Sequence, residues 1–331
     1  MADKERKRIL SGMRPTGKLH IGHYWGALEN WRALQDEYEC FYMVADWHAF
    51  SSDYEDPSKI LENCTEMVID WLAAGIDPEK ATIFIQSRVP QHAELFLIFS
   101  LITPLAWAER NPTYKEQLQE IKDKDIRTYG FLGYPILQAA DILVYNASLV
   151  PVGVDQLPHI ELTREVARRF NFFYGGVFNE PGAKLTPTPK ILGTDGRKMS
   201  KSYNNALFLS DTAEEMGAKV MKMFTDPAKL RKGDPGHPDE CPVFALQVIY
   251  NAADSDNIKG DCGSGALGCV DCKRRLVPKM NEALAGIREK RKSFEKDKAL
   301  LGDIIEAGNK RAFAEAEKMM EIVRMKVKLK A

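Results

Sequence analysis

Arg8-Ile9-Leu10-Ser11-Gly12, followed by Pro15-Thr16-Gly17-Lys18-Leu19-His20-Ile21-Gly22-His23, is the stretch on which the reading of this 331-residue chain turns. Arg8 to Ser11 is a short apolar run ending at Gly12, suited to a buried strand. Pro15 and Gly17 shape a tight turn. From Ile21 onward Tyr24, Leu28, Trp31 and Leu34 recur at helical spacing. A helix start reached through such a turn offers free backbone N–H groups and a partial charge of roughly +0.5, which favour phosphate oxygens. Gly22 removes a side chain from the first turn, so a flat base can lie against the backbone. His20 and His23 share a face and can both donate hydrogen bonds to a triphosphate. The residues alone leave two other readings open: half of a metal site, or surface histidines on an ordinary helix. No Gly-x-x-x-x-Gly-Lys-Ser/Thr string occurs, so a P-loop is excluded.

Outward from this stretch the alternation continues. Phe41 to Asp46 is a second apolar run, Pro57 to Gly75 has a helical pattern, and Thr82 to Gln86 repeats the strand signal. Strands separated by helices predict a parallel sheet with crossover helices. From Gln91 to Tyr129 helical patterns dominate, which predicts a helical insertion over about 91–130. Strand and helix return with Leu149-Val150-Pro151-Val152 and Leu157 to Phe170. A Pro/Gly-rich connector, Pro181 to Gly196, leads into Lys198-Met199-Ser200-Lys201-Ser202. Beyond Leu207 the signals are helical, apart from Gly/Pro/Cys-rich segments at 233–242 and 259–272. The expected fold class is α/β, with a Rossmann-like parallel-sheet domain over 1–206 and an all-helical domain over 207–331.

Lys198 and Lys201 follow Gly193-Thr194-Asp195-Gly196, whose glycines make a flexible loop over 193–202. Two ammonium groups there could close over a leaving pyrophosphate and neutralise charge as it develops. A solvated basic loop is the alternative.

Composition sets further bounds. The net charge is −1, from 46 basic and 47 acidic residues, so a nucleic-acid partner must be held by local basic patches. Met1 to Leu10 is charged and lacks an apolar core, which argues against a secretory signal. The apolar stretch Leu95 to Trp107 is broken by Ser100, Thr103 and Pro104 and is too short for the ~20 residues that cross a bilayer. Six cysteines without such a signal point to a reducing cytoplasm.

The two motifs, in this order and with this alternation between them, resemble those of class I aminoacyl-tRNA synthetases. Tyr134-Pro135-Ile136-Leu137-Gln138-Ala139-Ala140-Asp141-Ile142-Leu143, Val150 to Gln156 and His159 to Arg164 are similar to bacterial tryptophanyl-tRNA synthetases. Glu109-Arg110 to Lys115 also fits, and the resemblance runs over essentially the whole chain. It implies activation of tryptophan with ATP and Mg2+, transfer to tRNA(Trp), and a cytoplasmic homodimer with Leu95–Trp107 as the interface.

Carried over residue by residue, the resemblance assigns His20, His23, Lys115, Lys198 and Lys201 to the phosphates. Arg14, Thr16, Gly22, Gly153, Asp155, Met199, Ser200 and Ser202 complete the ATP site, with Asp155 at the ribose. Leu10, His48, Tyr134, Gln138, Asp141, Val150, Val152 and Gln156 form the tryptophan pocket. Asp141 would accept the indole N–H, which is a donor only. Tyr134 and Gln156 would hold the substrate ammonium, with His48 near its carboxylate. The alternatives are a tyrosine enzyme, which shares the Gln138-x-x-Asp141 pattern, and a non-catalytic RNA-binding relative. Leu10 stands where tyrosine enzymes carry a pocket tyrosine, and an apolar residue there suits an indole face.

Cys241, Cys262, Cys269 and Cys272 have spacing C-x20-C-x6-C-x2-C. Thiolates so clustered suit tetrahedral zinc or an iron–sulfur cluster. Some bacterial members of the family carry a similar set with a [4Fe–4S] cluster, usually with a slightly longer first spacer; the resemblance therefore implies the cluster, with Zn2+ as the alternative. Cys40 and Cys64 read as core residues. Gly263-Ser264-Gly265-Ala266-Leu267-Gly268 matches a dinucleotide fingerprint, but the polar segment Asp254 to Asp261 before it cannot be the buried strand required. Lys273-Arg274-Arg275, Lys279, Arg288 and Lys290-Arg291-Lys292 suit anticodon contacts or, alternatively, a solvated face laced with Glu282 and Glu289.

Overall fold

The computed structural model describes residues 6–120, 124–185, 191–201, 203–231 and 233–330. Five strands form one parallel sheet: β1 (Arg8–Met13), β2 (Glu39–Val44), β3 (Ala81–Ile85), β4 (Leu149–Val152) and β5 (Gly182–Leu185), in the order β3-β2-β1-β4-β5. The first three strands extend the sheet one way and the last two the other. The order therefore reverses between β1 and β4, and ligands of open α/β sheets bind at such a point beyond the carboxyl ends of the strands.

Alternate residues of each strand serve opposite faces. Ile9, Tyr42, Val44, Ile83 and Ile85 join one apolar cluster with Leu28, Trp31, Val68 and Trp71. Leu10, Phe41, Met43, Phe84 and Val150 join the other, with Ile136, Ala139, Leu143 and Val166. Burial on both faces explains why the strands read as continuous apolar runs. The helix predicted from Ile21 is present through Leu34, with a π-helical turn at Tyr24–Leu28, a local form common at functional sites.

Helices Gln91–Ile102, Leu105–Glu109 and Pro112–Glu120 occupy the predicted insertion. The connector read over Pro181–Gly196 hides β5, whose residues are only partly buried and carry little apolar signal; residues 186–190 of it lie outside the described set. Strand β5 is held mainly by its pairing, with Val150 opposite Ala183 and Val152 opposite Leu185, while Ala183 also packs against the second cluster. Helix Ser255–Gly263 occupies the place where a dinucleotide site would need a strand.

The last helix, Lys298–Lys326, returns to the sheet. Ala312, Ala316, Met320 and Val323 form its buried stripe. Asn309 Oδ1 accepts the Ile85 N–H at 2.9 Å, which satisfies a buried donor at the unpaired edge of β3. At Gly308 the backbones come so close that a Cβ would lie 1.7 Å from the Ile83 carbonyl oxygen. Gly308→Ala must push the helix off the strand, at a cost of about 3 kcal/mol. Thermal denaturation should show a melting temperature several degrees lower, and an unchanged one would mean that the helix does not depend on this contact.

Candidate active site

A cavity of about 380 Å³ opens at the switch point, and the carboxyl ends of β1, β2 and β4 line it with Leu10, Gly12, Met43, Ala45, Val150 and Val152. Gly26, Ala27 and Asn30 of the π-turned helix close one side, and Phe131, Tyr134, Gln138 and Asp141 another. All eight residues assigned to an amino-acid pocket by sequence border this one cavity: Leu10, His48, Tyr134, Gln138, Asp141, Val150, Val152 and Gln156.

Asp141, on helix Tyr134–Leu143, is 1% exposed. His48 Nε2 donates to its Oδ2 at 2.7 Å, while Gln86 Nε2 and His92 Nδ1 donate to its Oδ1, each at 2.7 Å. His92 then accepts from the Tyr145 hydroxyl at 2.8 Å. Burial pushes the Asp141 carboxyl up, but His48 and the hydrogen bonds from His48 and His92 hold it down at about 2. A carboxylate has about four acceptor sites, so three donors leave room for a ligand N–H. Gln86 and His92 escape sequence reading because each meets Asp141 only through the fold. Opposite them, His159 is held down at about 4, chiefly by burial and then by His48, so it is neutral at pH 7. Asn111 lies 3.2 Å from its Nδ1 and the Tyr134 hydroxyl 3.4 Å from its Nε2.

The histidine motif lies where β1 turns into its helix. The His20 and His23 rings approach to 3.7 Å between centroids. Burial first, then Lys201, holds His20 down at about 4. Burial, His20 and Lys201 together hold His23 at about 2. Both rings are therefore neutral donors at pH 7, and His20 Nδ1 is buried with no partner within the protein. Gly22 matters by space: a Cβ there would lie 2.8 Å from His20 Nδ1.

The lysine loop docks on this turn. Lys201 Nζ donates to the Gly17 carbonyl at 2.8 Å and to Thr16 Oγ1 at 3.2 Å. Burial lowers its pKa to about 8, against the pull of Asp70. Buried Asn205, which sequence reading missed, organises the loop: its Nδ2 donates to Asp195 Oδ1 at 2.7 Å and to the Lys198 carbonyl at 3.1 Å, and its Oδ1 accepts the Ser200 N–H at 2.8 Å. The bond from Asn205, then that from Arg197, holds Asp195 at about 2 against the opposing effect of burial. Met199 is buried and Lys198 is exposed. Ser202 lies outside the described residues.

Arg14 borders the cavity with its guanidinium bonded to Ser52, and burial lowers its pKa against the pull of Asp53. Gly153 also borders it, while Asp155 is exposed and accepts from Gln156 Nε2 at 2.8 Å. Lys115 is exposed and does not reach the cavity; Thr113 and Gln117 of the same helix face it instead.

Cys241, Cys262, Cys269 and Cys272 line a second cavity of about 20 Å³. Burial raises the Cys272 thiol to about 11, with the other three adding to the shift and a hydrogen bond from Gln247 opposing it. Among the described residues, no group of three or more His, Cys, Asp or Glu side chains forms a metal-binding cage. The basic run is not one solvated face. Lys273 donates to the carbonyls of Met221 and Met223, and Arg291 is 2% exposed and paired with Asp70 and Glu66. Arg274, Arg275 and Lys279 remain exposed. None of the described helices is long and apolar enough to cross a membrane.

Residues 2–285 match the family described as tRNA synthetases class I (W and Y). The chain is 51% identical to the tryptophan–tRNA ligase of Thermotoga maritima, over 97% of this chain and 99% of that one. It is 46% identical to the tryptophan–tRNA ligase of Aquifex aeolicus, over 97% and 100%. Among solved structures, tryptophanyl-tRNA synthetase from Campylobacter jejuni, complexed with ADP and tryptophan, superposes with a TM-score of 0.88 at 30% identity, covering 97% of this chain and 99% of that one. With a parallel sheet whose order reverses at the cavity, a histidine motif at the first helix and a lysine loop docked on it, the chain belongs to the class I tRNA synthetases of the W and Y family.

Proposed function

We propose that this chain is a tryptophan–tRNA ligase, which activates tryptophan with Mg-ATP and passes the tryptophanyl group to the terminal adenosine of tRNA(Trp). The observation that carries the reading is an apolar cavity with one ionised, fully buried carboxylate, built on the strand and turn that also present His20 and receive Lys201. Leu10 and Val150 wall the cavity with hydrocarbon, which suits an indole. Asp141 is the acceptor for the indole N–H, with His48, His92 and Gln86 holding it in place. Two relatives named tryptophan–tRNA ligase, each at least 46% identical, support the same choice over tyrosine.

In the first step the tryptophan carboxylate attacks the α-phosphorus in line. An oxygen–phosphorus bond forms, the bond to the β-phosphate breaks, and pyrophosphate leaves with the electron pair. Positioning and charge neutralisation do the catalysis. His20 and His23, kept neutral, each offer an N–H without adding charge, while Lys201 supplies the positive charge at the leaving phosphates. Lys198 acts there from the same loop. Lys115 is assigned to the phosphates by the resemblance alone. The Mg2+ that accompanies ATP neutralises phosphate charge. The ribose hydroxyl of the tRNA end then displaces AMP from the adenylate. This reading places the chain in the cytoplasm and makes exposed Arg274, Arg275 and Lys279 contacts for tRNA phosphates.

From their spacing and the resemblance, we propose that the four cysteines hold a thiolate-bound metal, a [4Fe–4S] cluster ahead of Zn2+. Their thiols border one cavity, and Cys269 and Cys272 sit in the first turn of a helix. Lys229 and Lys273, both buried, supply positive charge beside them. Bound there, the group would tie Cys241 and Cys262 to the start of that helix. A homodimer is proposed through the face where Leu97, Leu101 and Leu105 are 58%, 77% and 60% exposed.

ATP–pyrophosphate exchange tests the main reading. Exchange with tryptophan and not tyrosine is expected; exchange with tyrosine alone reassigns the pocket, and exchange with neither makes the chain a non-catalytic relative. Lys201→Ala should lower the exchange rate roughly a hundredfold, as expected when a preorganised charge is lost, while leaving tryptophan affinity intact. Metal analysis of anaerobically purified protein should find iron and acid-labile sulfide in equal amounts. Zinc without iron would select the alternative, and neither metal would remove the centre. Light scattering should give the mass of two chains, falling to one when Leu101 and Leu105 are both replaced by Asp.

A further inference from the structure

Asp70 is fully buried on helix Ile60–Ala73, outside the cavity. Its Oδ2 accepts the Leu19 N–H at 2.7 Å, one residue before His20. Its Oδ1 pairs with Arg291, which comes from helix Cys269–Lys296 and also binds Glu66 and, at 3.0 Å, Glu295. A buried carboxylate of this kind costs folding energy unless fully paired. A hydrophobic pair would fill the same space without that cost, so the charge calls for a reason.

The surroundings supply one. Leu19, His20 and Ile21 form a short bridge with the segment after the lysine loop: the Ile21 N–H donates to the Leu207 carbonyl and the Leu209 N–H to the Leu19 carbonyl, both at 2.9 Å. The bond from Asp70 fixes the remaining donor at the start of this bridge. Asp70 is also the acidic group whose field supports the Lys201 ammonium, against its burial among Gly17, Thr16 and the neutral His20 and His23. We propose that Asp70, held by Arg291, is the positioning residue of the phosphate end, fixing the backbone that presents His20. This rests on the ligase reading above. It gives the helical region after the lysine loop a direct grip on the nucleotide motif, through one arginine that the basic run hid.

The test compares the full-length chain with D70N, R291M and D70N/R291M. D70N keeps one acceptor for the Leu19 N–H, removes the charge and turns an NH2 toward Arg291 in place of the second acceptor. Its kcat/KM for ATP in pyrophosphate exchange should fall roughly tenfold to a hundredfold, the scale of a misplaced reacting group, with the KM for tryptophan unchanged. The pH profile adds a reading that a structural role would not move. Lys201, with its pKa lowered to about 8, works protonated, so exchange falls as pH rises through about 8. Without the Asp70 charge that fall should come at lower pH. The double variant, free of both central charges, should melt closer to the wild type than R291M yet keep the slow exchange. An unshifted profile with unchanged kcat/KM in D70N, or exchange that recovers with stability in the double variant, overturns the proposal. Should the wild type exchange with neither amino acid, the ligase reading fails by itself; ATP affinity by equilibrium dialysis then decides, with weaker binding by D70N sustaining the positioning role and equal binding removing it.

Discussion

The bridge between Leu19–Ile21 and Leu207–Leu209 is the contact on which the active site depends. A parallel sheet places the carboxyl ends of β1 and β4 side by side, but it has no means of bringing residue 201 to residue 17. Two backbone hydrogen bonds do so, and they are short in reach and exact in register. With them in place, the Lys201 ammonium lands on the Gly17 carbonyl and Met199 packs beneath Gly22. The loop before the bridge is then organised from within by Asn205, whose amide bonds leave Lys198 as an exposed, unburied cation on an ordered backbone.

Two buried aspartates show how the same residue type is set to opposite tasks. Asp141 takes three donors, and its carboxyl stays at about 2 in spite of burial. Asp70 has one arginine and one backbone N–H, and burial wins, carrying it up to about 6 against the pull of Arg291. The signs differ for stability. A depressed carboxyl stabilises the fold above its unfolded value near 4 and loses that contribution as pH falls through about 2. A raised carboxyl favours the fold in its protonated form and costs stability once ionised. Asp141 is thus secured as an anion that can read a donor, whereas Asp70 is ionised at neutral pH at the expense of stability.

What the sequence carried was local. The strand–turn–helix at Arg8–His23, the runs that became β2, β3 and β4, and the helices that follow them are written in apolar period and in turn residues, and they appear where expected. The eight pocket residues, carried over by resemblance, meet at one cavity because the family's fold is kept. What was not legible depends on distant partners. Strand β5 has no apolar run, because its residues face neither core fully. Gln86 and His92 bond Asp141 from 55 and 49 residues away, and nothing in their own neighbourhoods marks them. The run Lys290-Arg291-Lys292 reads as three surface cations, yet its middle member is buried against an acidic pair 221 and 225 residues earlier in the chain.

That misread arginine shows why the region after residue 206 is more than an appendage. Helix Cys269–Lys296 begins with two of the four cysteines and carries Arg288 and Arg291 near its other end. Arg288 Nε donates to the Asp211 carbonyl at 2.9 Å, and Asp211 in turn accepts the Phe208 N–H at 2.9 Å, inside the bridge. Arg291 reaches the other side of the same bridge through Asp70 and the Leu19 N–H. One helix therefore grips both strands of the contact that joins the histidine motif to the lysine loop. At 1.5 Å per residue, Cys272 and Arg291 stand roughly 28 Å apart along it. The position of its first turn and the geometry of the nucleotide motif are thus set by a single continuous element, interrupted in sequence only by Pro278.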